Sequence, residues 1–210
     1  MLRILIADDH PLLRAGIRKV VEKNFEVDTV DEVDTGQEVI DKVWHHHYDI
    51  VLLDITMPGR SGLEVLKQLR QERYEAPILI FSVHPEKQYA VRALKAGASG
   101  YLTKMRATDE LVDAIRVVMR GERYITSSLA EVLAAYVESN FRESPHEILT
   151  DREFEVLGMI ASGNRLTEIA QKLSLSEKTI SAHRANILKK MNMNSTAELI
   201  RYVIEKELIE

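Results

Sequence analysis

The stretch DIVLLDITMPGRSGLEVLKQL, residues 49–69, sets how the rest of the chain is read. Its β-branched apolar run Ile50–Leu53 reads as a strand. Asp54 follows at once, a carboxylate where an apolar run would otherwise continue into a core. Ser61…Glu64 then has capping-box spacing, the mark of a helix start. The same alternation extends in both directions over about the first 120 residues. Short runs recur at Arg3–Ala7, Val27–Val33, Ile78–Phe81 and Gly100–Leu102. Between them lie patterns of 3.6-residue period, such as Leu12, Leu13, Ile17, Val20 and Val21. Pro11 suits a first helical turn, Thr35…Glu38 repeats the capping-box spacing, and Gly97 and Gly121 stand where helices should stop. Five strands alternating with helices predict an α/β, doubly wound, five-stranded parallel sheet covered on both faces.

The pattern changes after residue 121. A helix is expected over Leu129–Ser139, followed by the polar segment Asn140–Glu147 with Ser144-Pro145, a linker. From Thr150 only helices are expected, at about 151–162, 166–173, 177–191 and 196–207. Thr150…Glu153 and Ser195…Glu198 have capping-box spacing, and Ser176 reads as a simpler N-cap. The expected division is residues 1–121, a linker 122–148 and a small all-α domain 149–210. His45-His46-His47 reads as a solvated cluster at a helix end, since consecutive residues point in different directions.

The 210 residues include no cysteine, which excludes a disulfide framework, a thiolate zinc site and a cysteine nucleophile together. No apolar run approaches a bilayer span and MLRILIADDH is no signal peptide, so a cytoplasmic protein without a membrane partner is expected. The net charge of -5 argues at first against nucleic acid. It is unevenly distributed. Residues 1–120 carry 17 basic and 19 acidic groups, 121–148 carry 2 and 5, and 149–210 carry 9 of each. Within the last segment Arg165, Lys172, Lys178, Arg184, Lys189 and Lys190 face only Glu168 and Glu177, a local surplus of +4. A polyanion meets that local surplus rather than the total.

In a doubly wound sheet ligands bind at the carboxyl ends of the strands, near the point where strand order reverses. The polar residues expected there are Asp8 and Asp9, Asp54, Ser82 and Lys104. Three carboxylates in one crevice repel one another unless cations are present. Mg2+ and the Lys104 ammonium would balance them. Asp54, alone at its strand end, is the best placed nucleophile for an acyl phosphate, with Lys104 and Ser82 to bind phosphoryl oxygens.

The segments IADDH (6–10), LLDITMPG (52–59), FSVH (81–84) and GYLTK (100–104) resemble the motifs of a bacterial two-component receiver domain, which is flavodoxin-like. The resemblance implies that Asp54 accepts a phosphoryl group from a sensor histidine kinase. It implies that Asp9, Asp54 and the Thr56 carbonyl hold Mg2+, with Asp8 helping through water. It makes Ser82 and Tyr101 a switch pair.

Residues 166–191 read helix, short turn (Ser174-Leu175-Ser176), helix, with Ala170 small enough for a close crossing. On the longer helix Ile180, Ile187 and Met191 form an apolar stripe, with Leu188 at its border. Lys178, Ala182, Ala185 and Lys189 lie opposite, flanked by Ser181 and Asn186, a front suited to the major groove. Arg184 falls beside the apolar stripe, so its stem should lie along the domain and its guanidinium reach a phosphate. LTDREFEVL (149–157), TEIAQKL (167–173) and SEKTISAHRANILKKM (176–191) resemble the LuxR-type DNA-binding domain. Joined to a receiver, this is the pattern of the NarL/FixJ class of response regulators. That resemblance adds Thr179 and His183 to the DNA-contacting set. It also places a dimer contact at Ile200, Val203 and Ile204 and implies double-stranded promoter DNA, a phosphorylated homodimer and RNA polymerase as partners.

Two alternatives stand beside this reading. A Mg2+-dependent phosphatase using an aspartyl phosphate needs an acid two residues after the nucleophile, and position 56 is threonine. A regulator indifferent to phosphate would have no need of the full set Asp8, Asp9, Asp54, Ser82 and Lys104.

Overall fold

The five short runs pair as one all-parallel sheet in the order β2-β1-β3-β4-β5. The strands are β1 (Leu2–Ala7), β2 (Val27–Val33), β3 (Ile50–Leu53), β4 (Ile78–Ser82) and β5 (Gly100–Thr103). The computed structural model describes residues 1–138, 144–206 and 208. Strand order reverses at β1 and β3, which pair from Ile4 opposite Ile50 to Ala7 opposite Leu53. Their carboxyl ends therefore release Asp8 and Asp54 side by side. Ile4, Ile6, Ile50, Leu52, Leu79, Phe81 and Leu102 on one sheet face pack with Ile17, Val21, Leu111 and Ile115. Those four come from α1 (Pro11–Asn24) and α5 (Ala107–Met119). Leu5, Val51, Leu53 and Ile80 alternate to the opposite face and are also buried. The helices α2 (Gly36–His45), α3 (Gly62–Gln71) and α4 (Glu86–Lys95) complete the unit.

Caps form where the spacing placed them. Ser61 and Glu64 make a reciprocal capping box at α3. Thr35 accepts the Glu38 amide, but the Glu38 carboxylate accepts from Asp34 rather than from Thr35. Gly97 and Gly121 take φ of 98° and 79° after α4 and α5, where a side chain would be strained. His45, His46 and His47 are exposed at the end of α2.

The chain divides into two compact units, Met1–Leu133 and Ala134–Glu210, a boundary that falls inside α6 (Ser127–Glu138). Thus the opening of the expected linker packs with the sheet. Tyr124 forms a parallel bridge to Gly100, donates its amide to the Ser99 carbonyl at 2.9 Å, and has its hydroxyl 3.1 Å from Glu110. A Cβ on Gly100 would sit 2.8 Å from the Tyr124 Cβ, so only glycine admits this approach. The predicted end of this helix at Ser139 and the polar stretch 140–143 lie outside the described residues, as does residue 207.

The second unit is helical: a short 3-10 turn at Pro145–Ile148, then α7 (Asp151–Ala161), α8 (Leu166–Lys172), α9 (Glu177–Lys190) and α10 (Thr196–Glu205). Thr150 and Glu153 close a full capping box, and Ser176 caps α9 through the Thr179 amide. Ser195 accepts the Glu198 amide, whereas the Glu198 carboxylate accepts the Asn194 amide and the Ser195 hydroxyl rather than the Ser195 amide. Ser174, at φ 55°, makes the tight turn between α8 and α9, and Ala170 is buried beneath it. Leu149, Phe154, Leu157, Ile169, Ile180, Ile187, Leu199 and Val203 form this unit's own core.

Candidate functional site

The ends of β1, β3, β4 and β5 converge on one acidic pocket. Asp54 is 1% exposed, and its backbone amide donates to the Ala7 carbonyl at 2.9 Å. Its Oδ1 accepts the Ile55 amide at 2.7 Å, and its Oδ2 lies 2.6 Å from Lys104 Nζ. The same ammonium lies 2.6 Å from Oδ2 of Asp8, which is equally buried. Burial pushes the Asp54 carboxyl up from 3.8 to about 6, even against the pull of Lys104. Burial works against the Lys104 charge too, but Asp54 and Asp8 outweigh it and hold the ammonium above its ordinary value.

Gly62 shapes the floor of this pocket. A Cβ there would sit 1.8 Å from the Asp54 carbonyl oxygen, and its amide donates to the Ile55 carbonyl at 2.8 Å. The start of α3 is thereby pressed against the loop that carries Asp54.

Asp8, Asp9, His10 and Asp54 each place a ligand atom within 4.8 Å of all the others. The three carboxylates are the hard oxygen donors that suit Mg2+. His10 joined this group without any sequence signal beyond its adjacency. Its Nδ1 lies 2.6 Å from Asp9 and 3.0 Å from Asp8, and its amide donates to Asp8 at 2.8 Å. Arg14 donates to the Asp8 carbonyl and ion-pairs Glu32 at 3.2 Å, fixing α1 to this corner.

Beyond Asp54, Thr56 Oγ1 meets His84 Nε2 at 2.9 Å. Burial, and then Lys104, lower the His84 pKa to about 4, so the ring is neutral at pH 7. The Tyr101 hydroxyl donates to the His84 carbonyl at 2.8 Å, and the His84 amide donates to the Ser82 hydroxyl at 3.4 Å. Both Ser82 and Tyr101 are fully buried. The structure therefore gathers Asp8, Asp9, Asp54, Thr56, Ser82, Tyr101 and Lys104 in one place and adds His10 and His84. His84 ends the segment FSVH (81–84), but nothing in the sequence gives it a role.

In the second unit α9 buries Ile180 and Ile187, with Met191 buried just past its end, and exposes Lys178, Ser181, Ala182, Ala185 and Lys189. Thr179, His183 and Arg184 are half-buried at its flanks. Part of the local surplus of +4 is engaged within the unit, although among the described residues only Lys190 meets an opposite charge. Lys190 lies 2.6 Å from Glu153, Lys172 bonds Asn164 at 2.6 Å, and Arg184 Nε donates to Thr196 at 2.8 Å. Lys178 and Lys189 have no such partner among the described residues. On α10 Val203 faces the core, Ile200 is half-buried, and Ile204 is 61% exposed. Asp151, Arg152, Glu153 and Glu155 are all buried in α7, with Arg152 and Glu155 2.6 Å apart.

The family described as Response regulator receiver domain matches residues 4–116, and that of Bacterial regulatory proteins, luxR family, matches 147–203. The chain belongs to the NarL/FixJ class of response regulators. It is 35% identical to Response regulator UvrY of Escherichia coli over 209 residues, covering 99% of this chain and 96% of that protein. Oxygen regulatory protein NreC of Staphylococcus carnosus is 34% identical over 216 residues, with both chains covered fully. Among solved structures, RcsB of Salmonella enterica serovar Typhimurium bound to promoter rprA with the phosphomimetic BeF3− aligns with a TM-score of 0.66. It is 25% identical and covers 97% of this chain and 98% of that one. This response regulator is thus a phosphorylation-regulated, DNA-binding transcription regulator. Among its described residues no helix is long and apolar enough to cross a membrane.

Proposed function

We propose that Asp54 is the phosphoryl acceptor, that a cognate sensor histidine kinase is the donor, and that the added charge controls dimerisation and promoter binding by the second unit. The observation that carries this is the buried Asp54 carboxylate 2.6 Å from Lys104 at the strand-order switch point. An Asp54 oxygen attacks phosphorus, the P–N bond of the donor phosphohistidine breaks, and the imidazole leaves and recovers a proton from solvent. Lys104 and the Ser82 hydroxyl then bind phosphoryl oxygens. Asp9, Asp54 and the Thr56 carbonyl would hold Mg2+, with Asp8 through water. When bound, the ion neutralises charge on the transferring phosphoryl group. No turnover of other phosphate esters is assigned, because Thr56 offers no acid to a leaving group.

Functionally the chain divides into a receiver at 1–121, a linker at 122–148 and a DNA-binding domain at 149–210. We place α9 in the major groove. Lys178, Ser181, Ala182 and Ala185 face base edges, where the alanines read thymine methyl groups. Lys189 and the guanidinium of Arg184 meet phosphates, and Thr179 and His183 flank the contact. Two copies meet through Ile200 and the exposed Ile204, and the bound dimer then contacts RNA polymerase. Footprinting with and without an acyl-phosphate donor, on wild type and Asp54→Asn, tests the whole. Wild type should gain DNA affinity with the donor and Asp54→Asn should not; an equal gain in both would overturn the reading.

A further inference from the structure

The start of α6 is held by a carboxylate that the phosphoryl chemistry does not use. Glu86, the first residue of α4, is 8% exposed and accepts two hydroxyls. Thr126 donates to its Oε1 at 2.7 Å and Ser128 to its Oε2 at 2.5 Å. Thr126, 9% exposed, also accepts the Leu129 amide at 3.0 Å, so the same hydroxyl caps α6. A buried carboxylate stripped of its donors would be costly, so the contact is either made or replaced. Residues 127–133 of α6 belong to the first compact unit and 134–138 to the second. The clasp therefore grips the one helix the two units share.

Glu86 stands two residues from His84, joined by Pro85 at φ −59°, a stiff connector. His84 is tied to the switch pair twice. Its amide donates to Ser82 Oγ at 3.4 Å, and its carbonyl accepts the Tyr101 hydroxyl at 2.8 Å. A Ser82 hydroxyl that turns to a phosphoryl oxygen withdraws the partner of the His84 amide, and the loop leading to Glu86 must reset.

We propose that the clasp of Glu86 with Thr126 and Ser128 holds α6 in the unphosphorylated chain and opens on phosphorylation, freeing the linker helix. This rests on Asp54 being the phosphoryl acceptor. The test uses the full chain, acetyl phosphate with Mg2+, and a duplex selected from random DNA by the phosphorylated wild type. Thr126→Val/Ser128→Ala removes both donors, Thr126→Ser keeps them, and Glu86→Gln weakens the clasp with the helix cap intact.

In wild type, amide exchange over 127–133 should rise at least about threefold on phosphorylation, while the double variant exchanges fast from the start. Couplings of this kind run from about 5- to 150-fold. The unphosphorylated double variant should therefore bind DNA within about twofold of phosphorylated wild type. Glu86→Gln should shift the same way by less, Thr126→Ser should behave as wild type, and all should accept phosphate equally on a phosphate-trapping gel. Unchanged exchange in phosphorylated wild type, or a full DNA response retained by both the double variant and Glu86→Gln, overturns the clasp. If exchange responds while DNA affinity does not, the clasp stands and the proposed control of DNA binding falls. A chain that takes no phosphate on Asp54 overturns both.

Discussion

The Lys190 ammonium sits 2.6 Å from Oε2 of Glu153, the same oxygen that accepts the Thr150 amide at 2.9 Å. The last turn of α9 is thereby stapled to the capping box of α7. Lys190 and its neighbour Lys189 should accordingly answer to different measurements. Lys190→Met should cost the second unit about 1–2 kcal/mol in urea melts, the worth of a partly exposed charge-assisted hydrogen bond. It should leave the salt dependence of DNA binding unchanged. Lys189→Met should stay within about 0.5 kcal/mol of wild type in stability. Its plot of log affinity against log salt should flatten by about one unit.

Gly62 allows no side chain. With 1.8 Å between a hypothetical Cβ and the Asp54 carbonyl oxygen, Gly62→Ala must move backbone rather than a flexible side chain. The expected loss is about 1–3 kcal/mol from overpacking, read as a lower urea midpoint. Asp54 phosphorylation should slow as well, since the displaced atoms belong to Asp54 itself. Gly16, with nothing near its Cβ position, is the control site for an alanine.

Two groups in the pocket give opposite pH dependences of stability. Asp54 rises on folding from 3.8 to about 6, so the folded chain keeps a proton that the unfolded chain gives up. Its contribution is lost as pH climbs through that window. His84 falls from 6.5 to about 4, so the unfolded chain gains a proton that the folded one refuses. Its contribution grows with pH over nearly the same window. At about 1.4 kcal/mol per pKa unit each amounts to at most about 3 kcal/mol, and together they nearly cancel. In metal-free buffer, Asp54→Asn should make stability climb steeply with pH between about 4 and 6.5, and His84→Asn should make it fall. Parallel pH profiles for the two variants would contradict this assignment.

Mg2+ at ten times its dissociation constant should stabilise the first unit by about 1.4 kcal/mol, seen as a higher unfolding temperature. Asp9→Ala should abolish the shift while sparing the fold, because Asp9 is only half-buried and the core lies elsewhere.

Much of this was legible in the chain itself. The run at Ile50–Leu53 matches its strand residue for residue, because a buried parallel strand needs an unbroken apolar or β-branched run. Val27–Val33 matches too, although as an edge strand it carries Asp28, Asp31 and Glu32 and buries only Val30 and Val33. Asp8, Asp54, Ser82 and Lys104 could be grouped because each interrupts such a run and strand ends converge. The caps at Ser61 and Thr150 are local and were visible as spacing. Contacts between distant residues left no comparable trace. Nothing near Thr126 announces Glu86 forty residues away, and Tyr124 pairs with Gly100 without a strand pattern of its own. Charge counting misled in α9, since the charge of Lys190 is spent on Glu153. The acidic start of α7 likewise gave no sign that its four charged residues would be buried.

The bridge between Tyr124 and Gly100 bears on how the receiver can be cut out of the chain. β5 is one of the two edge strands of the sheet, and an edge strand with free amides and carbonyls invites pairing with another molecule. A fragment ending at Gly121 would bare the Ser99 carbonyl, strip Glu86 of both hydroxyls and uncover the buried seat of Leu129. Ending at Leu133 keeps all three in place. The shorter fragment should self-associate where the longer one stays monomeric, so a dimer seen with it would report a raw edge rather than a signal.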